Sequence, residues 1–230
     1  MDVRDDKAVE LSVYRKLSRR EKEQKVERYR HLNRYAVPGR VLFSGSSLME
    51  QFPINEFIMN EGLPLTAYNR GVGGFTTEEF SAALGPCVLD LRPSVLFLNI
   101  GTNDLNGPDY DERALLDRYD GILERIQGAL PDCRLYLLAY YPCNPDKAPP
   151  YMAEIFRHRT NDRIRSANLG VRALAEARGG TFLDLNGGIT DGAGRLKEEY
   201  TFDGMHMFAE GYCRVFEALL PVLRGLSESV

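Results

Sequence analysis

The sequence predicts an α/β fold, an open parallel sheet with helices on both faces. Three observations predict it. Short, near-continuous apolar runs recur along the chain, as strands buried on both faces require, and such strands are usually parallel. Longer stretches with helical spacing separate them, which gives β-α-β alternation. The most unusual short segments, rich in Gly, Ser and Asn, each follow an apolar run. In an open α/β sheet, ligands bind at that carboxyl end of the strands.

Strands are expected at 40–45, 65–71, 94–101, 134–141 and 181–185. Helices are expected at 76–91, 111–130, 150–178 and 208–225. Thr76 followed by Glu79 fits a capping box opening the first of these. Residues 142–150, "PCNPDKAPP", read as a proline-rich loop. Residues 1–36 contain no Gly or Pro and read as an N-terminal helical extension, ended by "VPG" at 37–39. Residues 37–230 then form the domain proper. In the extension, "SRREKEQKVERYRHLNRY" is densely charged, and Val26, Tyr29 and Leu32 leave only a narrow apolar stripe. Two readings stay open: a solvated helix packed on the domain by that stripe, or an arm contacting a second subunit in a homodimer.

The bulk numbers exclude some classes. The 230 residues are 43% hydrophobic and 27% charged, with a net charge of −4. A phosphate-backbone binder needs a basic face, so no nucleic-acid partner is expected. No run of 18 apolar residues exists, so no membrane partner is expected either. "MDVRDDKAVELS" has no apolar signal-peptide core. Cys87, Cys133, Cys143 and Cys213 are scattered with no CxxC pair and read as free thiols, so a cytoplasmic location is expected. The three histidines are not spaced to pair with a cysteine, so no metal is expected.

The first strand runs into "VLFSGSSLME", 41–50, with serines at Ser44, Ser46 and Ser47. A serine hydroxyl is a poor nucleophile until a base takes its proton. Serines after a strand also serve as helix N-caps. "NRGVGGFTT" (69–77) follows the second strand and could be a tight turn. "GTNDL" (101–105) follows the third and could be an Asx-turn. "DGMH" (203–206) precedes the last helix and could be a surface turn. Each signal is weak alone, but their order along the chain is informative.

In that order the blocks resemble the SGNH hydrolase superfamily, the GDSL-type esterases and lipases, over about residues 40–222. The family's Gly-Asp-Ser stands here as Gly45-Ser46-Ser47. "NRGVGG" places the oxyanion glycine at Gly74, Gly101-Thr102-Asn103-Asp104 matches Gly-x-Asn-Asp, and Asp203-Gly204-Met205-His206 matches Asp-x-x-His. The resemblance implies a three-layer, flavodoxin-like fold with a five-stranded parallel sheet and no cofactor. It implies Ser47 as nucleophile, His206 as base and Asp203 as the residue orienting it. The Ser47 and Gly74 N–H groups and the Asn103 amide would be the oxyanion donors. Ser46 departs from the family's aspartate, which puts local geometry in doubt. The Gly-x-Ser-x-Gly elbow of α/β-hydrolases is absent, because Met49 stands at its second glycine.

Hydrolysis of a small-molecule ester is therefore expected, with short acyl groups, acetyl esters of carbohydrates among them, as substrates. Tyr140, Tyr141 and Phe75 could line the rim or belong to the core. His31 and His158 are expected to be exposed and unrelated to the site. Asp104 is expected to hold its loop by bonding backbone N–H groups. The rival reading is a non-catalytic flavodoxin-like binding domain, with Gly71, Gly73 and Gly74 cradling a phosphate at a helix N-terminus. The spacing of a GxGxxG fingerprint is missing.

Overall fold

A computed structural model describes residues 3–227. Strands β1 (Val41–Gly45), β2 (Ala67–Gly71), β3 (Val95–Asn99), β4 (Arg134–Leu138) and β5 (Thr181–Leu183) form one sheet in the order β2-β1-β3-β4-β5, parallel at every pairing. Every residue of β1 and β3 is buried, as expected of central strands covered on both faces.

The strand period of two sorts the side chains onto two faces. On one face Leu42, Leu96, Leu98, Leu135 and Leu137 meet the inner stripes of α4 (Thr77–Ala82), α6 (Glu112–Ala129) and α8 (Asn161–Ala177). On the other, Val41, Phe43, Val95 and Phe97 meet α2 (Ser47–Glu50), α3 (Ile54–Asn60) and α9 (Ala209–Ser227). Phe43, Phe97 and Tyr136 stack across neighbouring strands of this second face, with centroids 4.6 and 4.8 Å apart. The three-layer architecture is the one the sequence predicts.

Several boundaries differ. The helix expected over 76–91 is broken into α4, α5 (Leu84–Cys87) and a 3-10 turn at Leu89–Leu91. Its capping box forms: Glu79 N–H donates to Thr76 Oγ1, and Thr76 N–H donates to the Glu79 carboxylate. Pro86 then ends α4, since its ring opposes the carbonyl four residues back, at Ala82. The helix expected over 150–178 is likewise two, α7 (Ala153–His158) and α8. Arg159 leaves the helical region at φ −76°, ψ 87°, and Thr160 caps α8 by accepting from Arg163 N–H. The short helices α2 and α3 were not expected. Strand β4 ends at Leu138, so Tyr140 and Tyr141 lie beyond it.

The N-terminal extension is a helix, α1 (Val3–Asn33). Its second half packs on the domain through Val26, which is buried, and Tyr29, which is half-buried; Leu32, expected in the same stripe, is exposed. Polar contacts do the rest. Tyr29 Oη donates to Gly71 O at 2.5 Å, and Asn33 Nδ2 donates to Pro86 O. The buried Arg70 donates through Nε to Asn33 Oδ1 at 2.9 Å and lies against the Tyr29 and Tyr68 rings. Hydrogen bonds to charged groups contribute about 1.5–3 kcal/mol. Asn33→Ala is therefore expected to destabilise the domain by about 2 kcal/mol, read as a lower urea midpoint with an unchanged slope.

Candidate active site

The sheet register assembles the rim. Gly45 pairs with Gly71 on one side and Asn99 on the other. A Cβ at Gly45 would lie 1.9 Å from Asn99 O, so only glycine allows this approach. Ser46 N–H donates to Asn99 O, and the chain turns at once into α2 with Ser47 as its first residue. The three serines then separate. Ser44 is buried in β1 and donates to Arg70 O and Cys87 O. Ser46 is buried with its hydroxyl 3.4 Å from Thr102 Oγ1. Ser47 is partly exposed, and its Oγ lies 2.9 Å from His206 Nε2.

His206 is held from behind. Its Nδ1 lies 2.6 Å from Asp203 Oδ2. Asp203 Oδ1 accepts from the backbone N–H groups of Met205 and His206, at 2.9 and 2.7 Å. Burial opposes ionisation of Asp203, but the bond to the His206 ring and these backbone donors outweigh it and hold the carboxyl below its ordinary range. An ionised Asp203 requires Nδ1 to carry the proton, leaving Nε2 free to accept from Ser47. Thr201 fastens the turn, accepting from Gly204 N–H and donating to His206 O. Asn144 N–H donates to Gly204 O, which ties the turn to the proline-rich loop.

The loop after β2 lies beside Ser47. A Cβ at Gly73 would sit 3.8 Å from Ser47 Cβ. Gly74 is exposed with φ +73°, a left-handed conformation that favours glycine. Asn103 Nδ2 donates to Phe75 O at 2.9 Å, joining the third loop to the second. Thus the structure brings Ser47, His206 and Asp203 into one hydrogen-bonded line, with Gly74 and Asn103 on adjoining, mutually bonded loops. Asp104 has the structural part expected of it. Its carboxylate accepts from Thr77 N–H and Thr77 Oγ1, and Arg118 bonds it at 3.1 Å.

Burial decides between the readings left open for the aromatic residues and corrects one histidine. Tyr140, Tyr141 and Phe75 are all buried and do not line the rim. Tyr140 Oη donates to Ile100 O, and its backbone bonds Asn168 on both sides. The aromatic surface at the site is instead Phe202, exposed, whose ring lies parallel to the His206 imidazole with centroids 6.0 Å apart. His31 is exposed, but His158 is half-buried against Glu154. The buried thiols are poor nucleophiles, since burial pushes Cys87 up to about 12 and Cys143 up to about 11. Among the described residues, no group of His, Cys, Asp or Glu is placed to hold a metal ion.

Glu50 and Lys25 are contacts that motif reasoning missed. Glu50 lies on the turn that Ser47 opens; its Oε2 accepts from Gly73 N–H while its Oε1 pairs with Lys25 of α1. Lys22 of α1 reaches the same loop and bonds both oxygens of Glu79 at 2.8 Å. The spacing of Glu50 from Ser47 was visible in the sequence, whereas nothing in α1 distinguished its lysines.

The sequence profile of the GDSL-like Lipase/Acylhydrolase family matches residues 55–214, more than half of the chain. The protein belongs to this family, within the SGNH hydrolase superfamily. The match begins after Ser47, so the first block rests on its place in the fold. This GDSL-type protein is 24% identical over 192 residues to platelet-activating factor acetylhydrolase IB subunit alpha2 of Rattus norvegicus, covering 82% of this chain and 77% of that one. A solved Streptococcus pneumonia structure named for platelet activating factor superimposes with a TM-score of 0.84 at 29% identity, covering 94% and 99% of the two chains. An acetylxylan esterase from Geobacillus stearothermophilus shares the fold at 12% identity, with a TM-score of 0.62 over 81% of this chain and 95% of that one.

If Glu50 ties the Ser47 turn to the Gly73 loop, Glu50→Gln weakens that tie and leaves Lys25 without its partner. The expected cost is about 1 kcal/mol, because the pair is partly exposed. Thermal unfolding of the variant beside wild type measures it.

Proposed function

We propose that this GDSL-type acylhydrolase is a serine esterase that removes short acyl groups, acetyl foremost, from small-molecule alcohols such as carbohydrates. The observation that carries the reading is the line from Ser47 Oγ through His206 to Asp203, at 2.9 and 2.6 Å. Ser47 attacks the ester carbonyl carbon while His206 Nε2 takes its proton. The tetrahedral oxyanion is held by the Ser47 and Gly74 N–H groups and by the Asn103 amide. His206 returns the proton to the departing alcohol, leaving an acyl-serine. Water, deprotonated by the same imidazole, then releases the acid and restores Ser47. Asp203 stabilises the imidazolium formed in each half.

Short acyl groups and a polar alcohol fit the surroundings. The aromatic residues that follow β4 are packed inward, and Phe202, exposed beside His206, offers aromatic surface that a sugar ring can contact. The names of the rat acetylhydrolase and the bacterial acetylxylan esterase point to the same acyl group.

A phosphate-cradling site is disfavoured by the same contacts. Gly73 N–H is taken by the Glu50 carboxylate, and the first amides of α4 face the carboxylates of Glu79 and Asp104. The amides an anion would need are already taken by three carboxylates.

With p-nitrophenyl acetate, Ser47→Ala is expected to lose several orders of magnitude in kcat, while Ser46→Ala stays within about tenfold of wild type. Full activity in Ser47→Ala would overturn the mechanism. Asp203→Asn is expected to lower kcat by about 10⁴, since it permits the wrong imidazole tautomer. Across p-nitrophenyl esters from acetate to decanoate, kcat/KM is expected to fall with length; a rise would reject the short-chain assignment.

A further inference from the structure

The break between α7 and α8 has a purpose that neither the family motifs nor the proposed triad assigns. Arg159, at that break, is buried, with 3% of its surface exposed. Among the described residues no carboxylate pairs with it. Asp203 and Asp104 act on it only through space, and a buried arginine with no directly bonded carboxylate costs several kcal/mol unless its donors are well satisfied. Every side-chain bond of Arg159 goes to the loop after β3. Nε donates to Asn106 Oδ1 at 2.8 Å. Nη2 donates to Thr102 O at 2.6 Å and to Asn103 Oδ1 at 3.0 Å.

These contacts decide the orientation of the Asn103 amide. A guanidinium only donates, so the atom of Asn103 facing it must be oxygen. Asn106 Nδ2 donates to the same oxygen at 3.3 Å. With Oδ1 saturated, Nδ2 lies on the other side, where one of its two hydrogens goes to Phe75 O. One hydrogen remains. The flipped amide would set NH₂ against the guanidinium and leave Phe75 O facing an acceptor. A cation on Oδ1 also draws electron density from the amide and strengthens its N–H as a donor.

We infer that Arg159 is a positioning residue for the oxyanion site, one that locks the Asn103 amide so that a single N–H is presented to the developing negative charge. This rests on the esterase reading above and adds to it a residue that does not touch substrate. Its effect belongs to the transition state, because the carbonyl of the bound ester carries little charge. Losing the lock therefore lowers kcat and leaves KM unchanged.

The test is a double-mutant cycle on the full chain with p-nitrophenyl acetate, using Arg159→Lys and Asn103→Ala singly and together. Arg159→Lys keeps the charge and loses the fork. It is expected to lower kcat by roughly 10- to 100-fold, less than the roughly 10²–10³ of deleting an oxyanion donor. In the Asn103→Ala background the same change is expected to alter kcat by less than about threefold. An equal loss in both backgrounds overturns the inference and leaves the triad standing, since Arg159 would then support the fold alone. A wild-type kcat in Arg159→Lys also overturns it. If Asn103→Ala keeps full kcat while Ser47→Ala abolishes it, Asn103 is no donor, and the inference falls separately from the nucleophile assignment. Should Arg159→Lys not fold, Asn106→Ala removes the second donor to Asn103 Oδ1 from a partly exposed position. A kcat loss that vanishes in the Asn103→Ala background supports the lock, and an additive loss or none rejects it.

Discussion

The rim of this sheet depends on how closely β1 approaches β3 at Gly45. With no Cβ to hold the strands apart, Asn99 O can accept from Ser46 N–H, and the chain can turn into α2 within one residue. Any side chain at Gly45 would push the two strands apart and displace the start of α2. That start is Ser47. The same register sets Gly71 level with Gly45, so the loop carrying Gly73 and Gly74 leaves its strand beside the serine. The positions of three loops therefore follow from one backbone contact in the middle of the sheet.

Loops need more than a register to stay in place, and here they hold one another. Asn103 bonds Phe75 O across two loops. Glu50 accepts from Gly73 N–H from the turn that Ser47 opens. Asn144 bonds the Asp203–His206 turn through Gly204 O. Helix α1, outside the family match, adds Tyr29 on Gly71 O and Lys25 on Glu50. A charged helix, expected either to pack on the domain by a narrow stripe or to reach a second subunit, thus braces the loop next to the serine. Its charges are used in pairs against specific partners, which composition alone does not disclose.

The sequence disclosed the layers and their order because strand and helix periods are local properties. It disclosed three candidate site blocks because each couples a strand end to an unusual residue type, and the fourth, before the last helix, through its order after them. Boundaries were less legible. Pro86 could have been read as the end of α4, but the break at Arg159 has only Thr160, a cap in a polar run, to mark it, and the acceptors that hold Arg159 lie on another loop. Tyr140, which follows a strand, suited the rim and the core equally; the depth to which it turns inward is set by Ile100 and Asn168, far off in sequence. Phe202 was passed over because it lies one residue outside the Asp-x-x-His block. Local patterns show what a residue is suited to do, and distant contacts decide whether it does so.

Ser47 and His206 are 159 positions apart, while His206 and Asp203 are three apart. During synthesis, a chain that has emerged as far as α8 already holds the serine, the glycine loop and the asparagine loop, but no imidazole within reach of the serine. Its hydroxyl is no more reactive than that of any other serine. The turn that carries Asp203 and His206 completes the hydrogen-bonded line to Ser47 only after the strands and loops around that serine have been made.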